Sequence, residues 1–382
     1  MSAIKKVYLD NGATTRVDDS VVDTMLPFFE ENYGNASSLH SFGRDAKVAV
    51  EHARATIAKK INALPEEIIF TSSGTEADNL AILGVSHDTK KNHIILSKIE
   101  HHAVHMTCEA LESKGVALTY LDVDPDGFID LNQLKRSITD KTLLVTIIHA
   151  NNEIGTIQDI DAIGKICKEK KVLFHIDAVQ SFTKVQIDVK KTHVDLISMS
   201  SHKIHGPKGV GALYVRKGIK IRPILHGGGH ERGIRPGTEN VPGIVGFGKA
   251  SELDPEIEKM TKQRDYLINE LLKISETKLN GSRSKRLCNN VNISFKYVEG
   301  EGLLMHLDLA GIAVSTGSAC SSHSLEASHV LLAIGLTHEI AHGSIRFTLS
   351  KYTTKDELDY TVRKVKEIVE QLRKFSPLMK NV

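Results

Sequence analysis

Short apolar runs alternate with amphipathic stretches over most of this chain. "AKVAVEHARATIAKKIN" (46–62) has helical spacing and is followed by the apolar "EEIIFTS" (66–72). "GTEADNLAILGV" (74–85) is helical again. The runs "NHIILS", "GVALTYLDV", "TLLVTIIHA", "KVLFHIDA", "VDLISMS" and "GVGALYV" each read as a strand, joined by segments such as "IQDIDAIGKICKEK". This alternation predicts an α/β sheet with helices on both faces, whose ligands gather beyond the carboxyl ends of the strands.

The flanks differ from this middle. After "KKVYL", Asp10-Asn11-Gly12 reads as a tight turn. A helical segment and the polar loop "NYGNASSLH" then lead into the repeating pattern. Further on, the glycine-rich "GGGHERGIRPGTENVPGIVG" shows little periodicity, and one long charged helix is expected through "ASELDPEIEKMTKQRDYLINELLKI". Near the end, Thr354 and Glu357 fit a capping box, with Leu358, Val362, Val365, Val369 and Leu372 at helical spacing behind them. The expected organisation is an N-terminal arm (1–15) contributing to a smaller domain, a large α/β domain (16–250), and a smaller α+β domain (251–382).

Composition narrows the class. The chain has 382 residues, 41% hydrophobic and 25% charged, as in an ordinary globular protein, and its formal net charge of +2 gives no sign of a nucleic-acid or membrane partner. No apolar run approaches a membrane span. Cys108, Cys167, Cys288 and Cys320 form no CxxC or other paired spacing, which argues against a thiolate metal site and for a reducing, cytoplasmic setting.

Candidate chemistry sits at the predicted strand ends. Lys203, in "SMSSHKIHGPKG", is either a solvated lysine or an amine placed to form a Schiff base with an aldehyde cofactor. Gly74 and Thr75 of "SSGTEADN" open a helix, so they form a plain cap or an anion site for a phosphate. Asp177 of "FHIDAVQS" is either a helix cap or the partner of a protonated pyridine nitrogen, with Gln180 three residues on. His101 of "SKIEHHAVH" and Asn152 of "IIHANNEIGT" offer a stacking ring and an amide. Cys320 lies in "STGSACSSHSLEASHV", among small polar residues suited to a movable loop, where a thiolate would be a good nucleophile and sulfur carrier. Arg346 of "AHGSIRFTLS" is either an interdomain ion-pair partner or a bidentate carboxylate anchor.

Taken in order, "YLDNGATT", "YGNASSLHSFG", "TSSGTEADN", "IEHHAV", "NNEIGTIQ", "HIDAVQ", "SSHKIHGPKGVGALYV", "GGGHERGIRPGT" and "STGSACSS" resemble the cysteine desulfurases of the NifS/IscS type, pyridoxal-phosphate enzymes of aminotransferase class V. The resemblance covers nearly the whole chain. It implies fold type I, with a large, mostly parallel sheet domain and a smaller α+β domain. It implies that Lys203 holds pyridoxal 5'-phosphate covalently, Asp177 pairs with the ring nitrogen, Gln180 contacts the ring oxygen, and His101 stacks on the ring and serves in proton transfer. The phosphate would be held by Gly74, Thr75, Ser200 and His202, with Thr238 entering from the neighbouring subunit of a homodimer. Arg346, Asn152 and Asn11 would bind the substrate L-cysteine, with Asn152 also contacting the cofactor oxygen and Ala13 lining the same cleft.

The implied reaction converts L-cysteine to L-alanine and leaves the sulfur as a persulfide on Cys320. Acceptors would be an iron–sulfur scaffold or another thiolation protein, with Cys320 transiently ligating an iron–sulfur cluster. The competing expectations are a selenocysteine lyase and a binding or scaffold protein that keeps the fold without the chemistry. The sequence departs from the family pattern at Ala36, where proline is frequent, in the shortened "SGTE", and at Pro236 of "RPGT"; none of these removes an expected chemical group.

Overall fold

A computed structural model describes residues 5–86, 90–316 and 327–375. Its strands are β1 (Val7–Tyr8), β2 (Ile68–Thr71), β3 (His93–Ser97), β4 (Ala117–Leu121), β5 (Thr142–Ile148), β6 (Leu173–Asp177), β7 (Leu196–Ser200), β8 (Gly211–Val215), β9 (Thr277–Leu279), β10 (Asn290–Phe295), β11 (Ile312–Ala313), β12 (Ser315–Thr316) and β13 (Ser344–Thr348). Seven of them form one sheet in the order β2-β8-β7-β6-β5-β3-β4. It is mixed but mostly parallel: only β8 runs against its neighbours, β2 and β7.

Residues two apart on a strand share a face. Phe174, Ile176, Val145, Ile147, Ile197 and Met199 therefore pack into one core with the helix Ser41–Lys60. The opposite face carries Leu144 and Leu196, which pack under the helices Gly74–Val85 and His102–Glu112. Thr146, His175 and Ser198 share that second face, joined by hydrogen bonds of 2.8 Å (Thr146 Oγ1 to His175 Nδ1) and 3.0 Å (His175 Nε2 to Ser198 Oγ). Strands buried on both sides are expected to be wholly apolar. Here polar side chains are admitted because they satisfy one another.

A second sheet, β12-β13-β10-β9, is antiparallel and has its own apolar core, closed by the helices Ile257–Leu271, Gly300–Leu309 and Lys355–Phe375. The last of these starts as its sequence suggests: Thr354 N donates to Glu357 Oε2 at 2.7 Å, and Glu357 N donates to Thr354 Oγ1 at 3.3 Å. The beginning of the chain joins this second core. β1 pairs in parallel with β11, and Val7 and Leu9 are buried beside Val291, Phe347 and Leu349.

The single long helix expected after residue 249 is two helices, Val241–Glu252 and Ile257–Leu271. Pro255 disfavours helical geometry at Asp254, and Glu256 takes a left-handed conformation (φ 52°) before the second helix begins. The first helix starts inside the stretch read as an aperiodic loop. Its glycines serve packing: a Cβ on Gly248 would lie 2.7 Å from the Cβ of Ala53, and one on Gly246 would lie 2.6 Å from the Met25 sulfur.

Candidate active site

The carboxyl ends of β2, β3, β5, β6 and β7 converge where the N-terminal arm crosses the sheet. β7 ends at Ser200 and passes into a single 3-10 turn, Ser201–Lys203. The arm is stitched to this turn: Thr15 N donates to the His202 carbonyl at 2.9 Å, and His205 N donates to Thr15 Oγ1 at 2.8 Å. The Lys203 amine then reaches the arm itself, donating to the carbonyls of Gly12 (2.6 Å) and Ala13 (2.7 Å). Gln180 Nε2 donates to the same Gly12 carbonyl at 2.9 Å, so two side chains from different strand ends are aimed at one point.

Asp177 is the last residue of β6 and only 4% exposed. Its carboxylate accepts from Val179 N at 2.8 Å. Burial pushes its pKa up to about 6, against the lowering effects of that bond and of the Lys203 charge. His101 caps the helix His102–Glu112 by accepting at Nδ1 from Ala103 N (3.1 Å), which leaves the proton of the neutral ring on Nε2. Burial, followed by the positive charge of Lys203, pushes His101 down to about 4, so the ring is neutral at physiological pH. His202 is pushed down to about 4 for the same two reasons, with Nδ1 3.2 Å from Thr14 Oγ1.

At the end of β2, Ser73 Oγ caps the helix Gly74–Val85 by accepting from Glu76 N (3.1 Å), while Glu76 Oε2 accepts from Ser72 N (2.7 Å). The first amides of this helix lie on the cleft at residues that also line it, Gly74 and Thr75. A Cβ on Gly74 would come within 2.6 Å of Val179, so glycine is what allows the helix to start this close to the end of β6.

From the second sheet, Arg346 on β13 enters opposite Lys203. It is 3% exposed and donates to the Asn152 carbonyl and to Asp10 Oδ1, both at 3.1 Å. Its Nε is buried with no hydrogen-bond partner among the described residues. Arg346 lines the cleft, and a planar guanidinium there is a ready anchor for a carboxylate.

These groups bound one cleft of about 890 Å³, counting the part open to solvent. Of the residues singled out in the sequence, Gly74, Thr75, His101, Asn152, Asp177 and Gln180 line it. So do Ser200, His202, Lys203, Arg346 and Ala13. Asn11 does not: it is buried, and its amide donates to the carbonyls of Tyr8 (3.2 Å) and Thr348 (2.8 Å), fixing the arm. Thr238 is exposed and lies away from this cleft, on a loop held to the helix cap by an Arg235–Glu76 ion pair of 2.8 Å. Cys320 lies outside the described residues.

Sequence reasoning missed Asp78, which also lines the cleft. It is 1% exposed, and Oδ1 has no hydrogen-bond partner among the described residues, with His175 Nε2 at 3.7 Å. Burial and then the neighbouring Asp177 push its pKa well up. The available signal was an acidic residue on the apolar face of the helix Gly74–Val85, one turn from Gly74. Glu100 was also missed; burial pushes it up to about 8, against the hydrogen bonds it accepts from Ser97 and from Ile148 N.

The residues present suit pyridoxal phosphate. An amine, a buried carboxylate, a neutral imidazole and a helix N-terminus face one cavity, which gives a carbonyl, a ring nitrogen, a ring face and a phosphate each a partner of matching chemistry.

Residues 7–361 match the family model described as Aminotransferase class-V. The chain is 55% identical over 381 residues to the "Cysteine desulfurase IscS" of Dictyoglomus turgidum, covering 98% of this chain and 97% of that one. It is 53% identical to the protein of the same name from Methanosarcina thermophila, covering 98% and 94%. Among solved structures, a "NifS-like protein" superposes with a TM-score of 0.91 at 41% identity, covering 96% of this chain and all of that one. "SspA in complex with cysteine" superposes with a TM-score of 0.84 at 38% identity, covering 91% of this chain and all of that one.

Proposed function

The chain belongs to the aminotransferase class-V family, and on that premise we propose that it works as a pyridoxal-phosphate-dependent cysteine desulfurase. The observation that carries this reading is the convergence of Lys203, Gln180, Asp177, His101 and Arg346 on one cleft at the strand ends. Bound there, pyridoxal phosphate supplies an electron sink that weakens bonds at the substrate α-carbon and lets the β-carbon–sulfur bond break. Everything else is work for this chain's own residues.

Lys203 would hold the cofactor, and its amine would take the proton from the substrate α-carbon and return one. Asp177 would pair with the ring nitrogen, where a positive charge would favour its ionised form. Gly74, Thr75, Ser200 and His202 hold the phosphate, and His101 offers a flat neutral ring. Arg346 and Asn152 hold the α-carboxylate, fixing which substrate bond is aligned for cleavage. The thiolate of Cys320 attacks the substrate sulfur: a sulfur–sulfur bond forms, the carbon–sulfur bond breaks, and the β-carbon takes a proton to give alanine. An acceptor thiol then takes the outer sulfur.

A homodimer fits the exposed apolar surface around the first helices, where Leu39 is 91% and Tyr33 68% exposed beside Phe29 and Phe42. In such a dimer the exposed Thr238 would reach the partner's cleft. The acceptor we infer is an iron–sulfur scaffold or another thiolation protein. No helix among the described residues is long and apolar enough to cross a membrane.

The test is mass spectrometry of the holoenzyme after incubation with L-cysteine. One extra sulfur on Cys320, with alanine released and both lost in C320S, is the expected result. Alanine formation without any sulfur on Cys320 would remove that residue from the reaction, and a chain that binds no pyridoxal phosphate would end the enzyme reading.

A further inference from the structure

Behind Lys203, on the side away from the cleft, lies a second lysine that the reaction does not use. Lys184 is half-buried, and its amine donates to the backbone carbonyls of Gln180 (3.0 Å) and Lys203 (3.1 Å). Those are the two residues whose side chains meet in front at the Gly12 carbonyl. The segment after β6 and the segment after β7 are thus joined twice, by Gly12 on the cleft side and by Lys184 behind.

The geometry is costly. Burial pushes the Lys184 amine down to about 8, with nearby Cys288 opposing the shift. The residue before it, Thr183, is held in a left-handed conformation (φ 65°), which a β-branched side chain disfavours, and His205, two residues beyond Lys203, is left-handed as well (φ 66°). Ile204, Ala250, Met260 and Leu349 help to wall the pocket that Lys184 shares with the stem of Lys203. A strained turn that delivers an ammonium to two specific carbonyls is an over-determined arrangement, and both carbonyls belong to residues of the site.

We propose that Lys184 is a positioning residue: its ammonium ties the backbones of Gln180 and Lys203 together and so fixes where their side chains meet the cofactor. This rests on the reading of the cleft as a pyridoxal-phosphate site. Lys184 touches neither cofactor nor substrate and transfers no proton.

The experiment uses the holoenzyme loaded with pyridoxal phosphate. K184M keeps the length of the side chain and removes its donors. It is expected to lower kcat about tenfold to a hundredfold while KM for cysteine stays within about twofold, because the lysine is misplaced and the carboxylate anchor is untouched. The absorbance of the bound cofactor should also titrate at a shifted pH, with K184R, which keeps N–H donors, returning the midpoint toward that of the wild type. A folded K184M with wild-type kcat and an unshifted midpoint overturns the tether, and so does K184R no better than K184M. Should K184M not fold, K184R decides alone: a wild-type midpoint supports the tether and a displaced one overturns it. Failure of the wild type to bind the cofactor is a separate result, and it would count against the functional reading rather than the tether.

Discussion

The two sheets of this molecule fill their polar interiors in opposite ways. Beneath the cleft, the seven-stranded sheet and its covering helix bury three carboxyls, Asp78, Glu100 and Asp177, with the imidazoles of His149 and His175 nearby in the same layer. Around the four-stranded sheet, buried amides and hydroxyls surround the guanidinium of Arg286, which donates to Asn290 Oδ1 at 3.0 Å. Asn280 Nδ2 donates to Asn292 Oδ1 and to Ser294 Oγ, both at 2.8 Å, while Asn290 and Asn292 each donate to the Glu153 carbonyl at 3.1 Å. Among the described residues, the charge it presents to the cleft is Arg346. The difference separates two tasks: a titratable floor can change its charge as chemistry proceeds, whereas the amide lattice shapes the wall from which Arg346 reaches the cleft, held there by the Asn152 carbonyl and the Asp10 carboxylate.

The sharpest break in the comparison is R346A. Removing charge-assisted hydrogen bonds to a carboxylate should lower kcat/KM for cysteine by about a hundredfold or more, mainly through KM. Steady-state kinetics with an unchanged KM would remove Arg346 from substrate binding.

E100Q probes the titratable side. A folded-state pKa raised from 4.5 to about 8 means that Glu100 costs no stability below pH 4.5 and increasingly destabilises the fold as pH rises toward 8. Relative to wild type, E100Q should therefore gain stability between pH 5 and pH 8, at up to about 1.4 kcal/mol per pH unit. Urea unfolding at the two pH values reads this directly, and a constant difference between the proteins would show that Glu100 does not titrate in that window.

N292A tests the amide side and should have the smallest effect. Loss of its bonds to Asn280 and Glu153 is expected to cost about 1–3 kcal/mol, by the same amount at pH 5 and pH 8. A pH-dependent loss would mean that the lattice is coupled to titrating groups after all.

Much of this was legible in the sequence because strand periodicity and strand ends are local properties. The β6 run "LFHID" ends on Asp177 and the β7 run "LISMS" ends three residues before Lys203, so position along the chain placed both at the cleft. Asn11 shows where such reasoning stops: it sits beside Gly12 in the turn, but a bond to Thr348 on the far side of the chain turns its amide away from the cleft. Asp78 was hidden because a helix face says what is buried and not what lies opposite. The helix Val241–Glu252 was hidden because glycines that permit close packing look, in sequence, like glycines that permit a loop.

The crossing of the arm over the sheet also sets an order in time. β1 precedes the large sheet in the chain, yet it needs β11 as its partner, and Leu9 is hydrogen-bonded to Thr348. Residues 5–12 therefore find their partners only once β11 and β13 are present. Because the Lys203 amine is held by carbonyls of Gly12 and Ala13, the reactive centre is completed by a segment that docks late, and a product lacking β11 and β13 cannot assemble it.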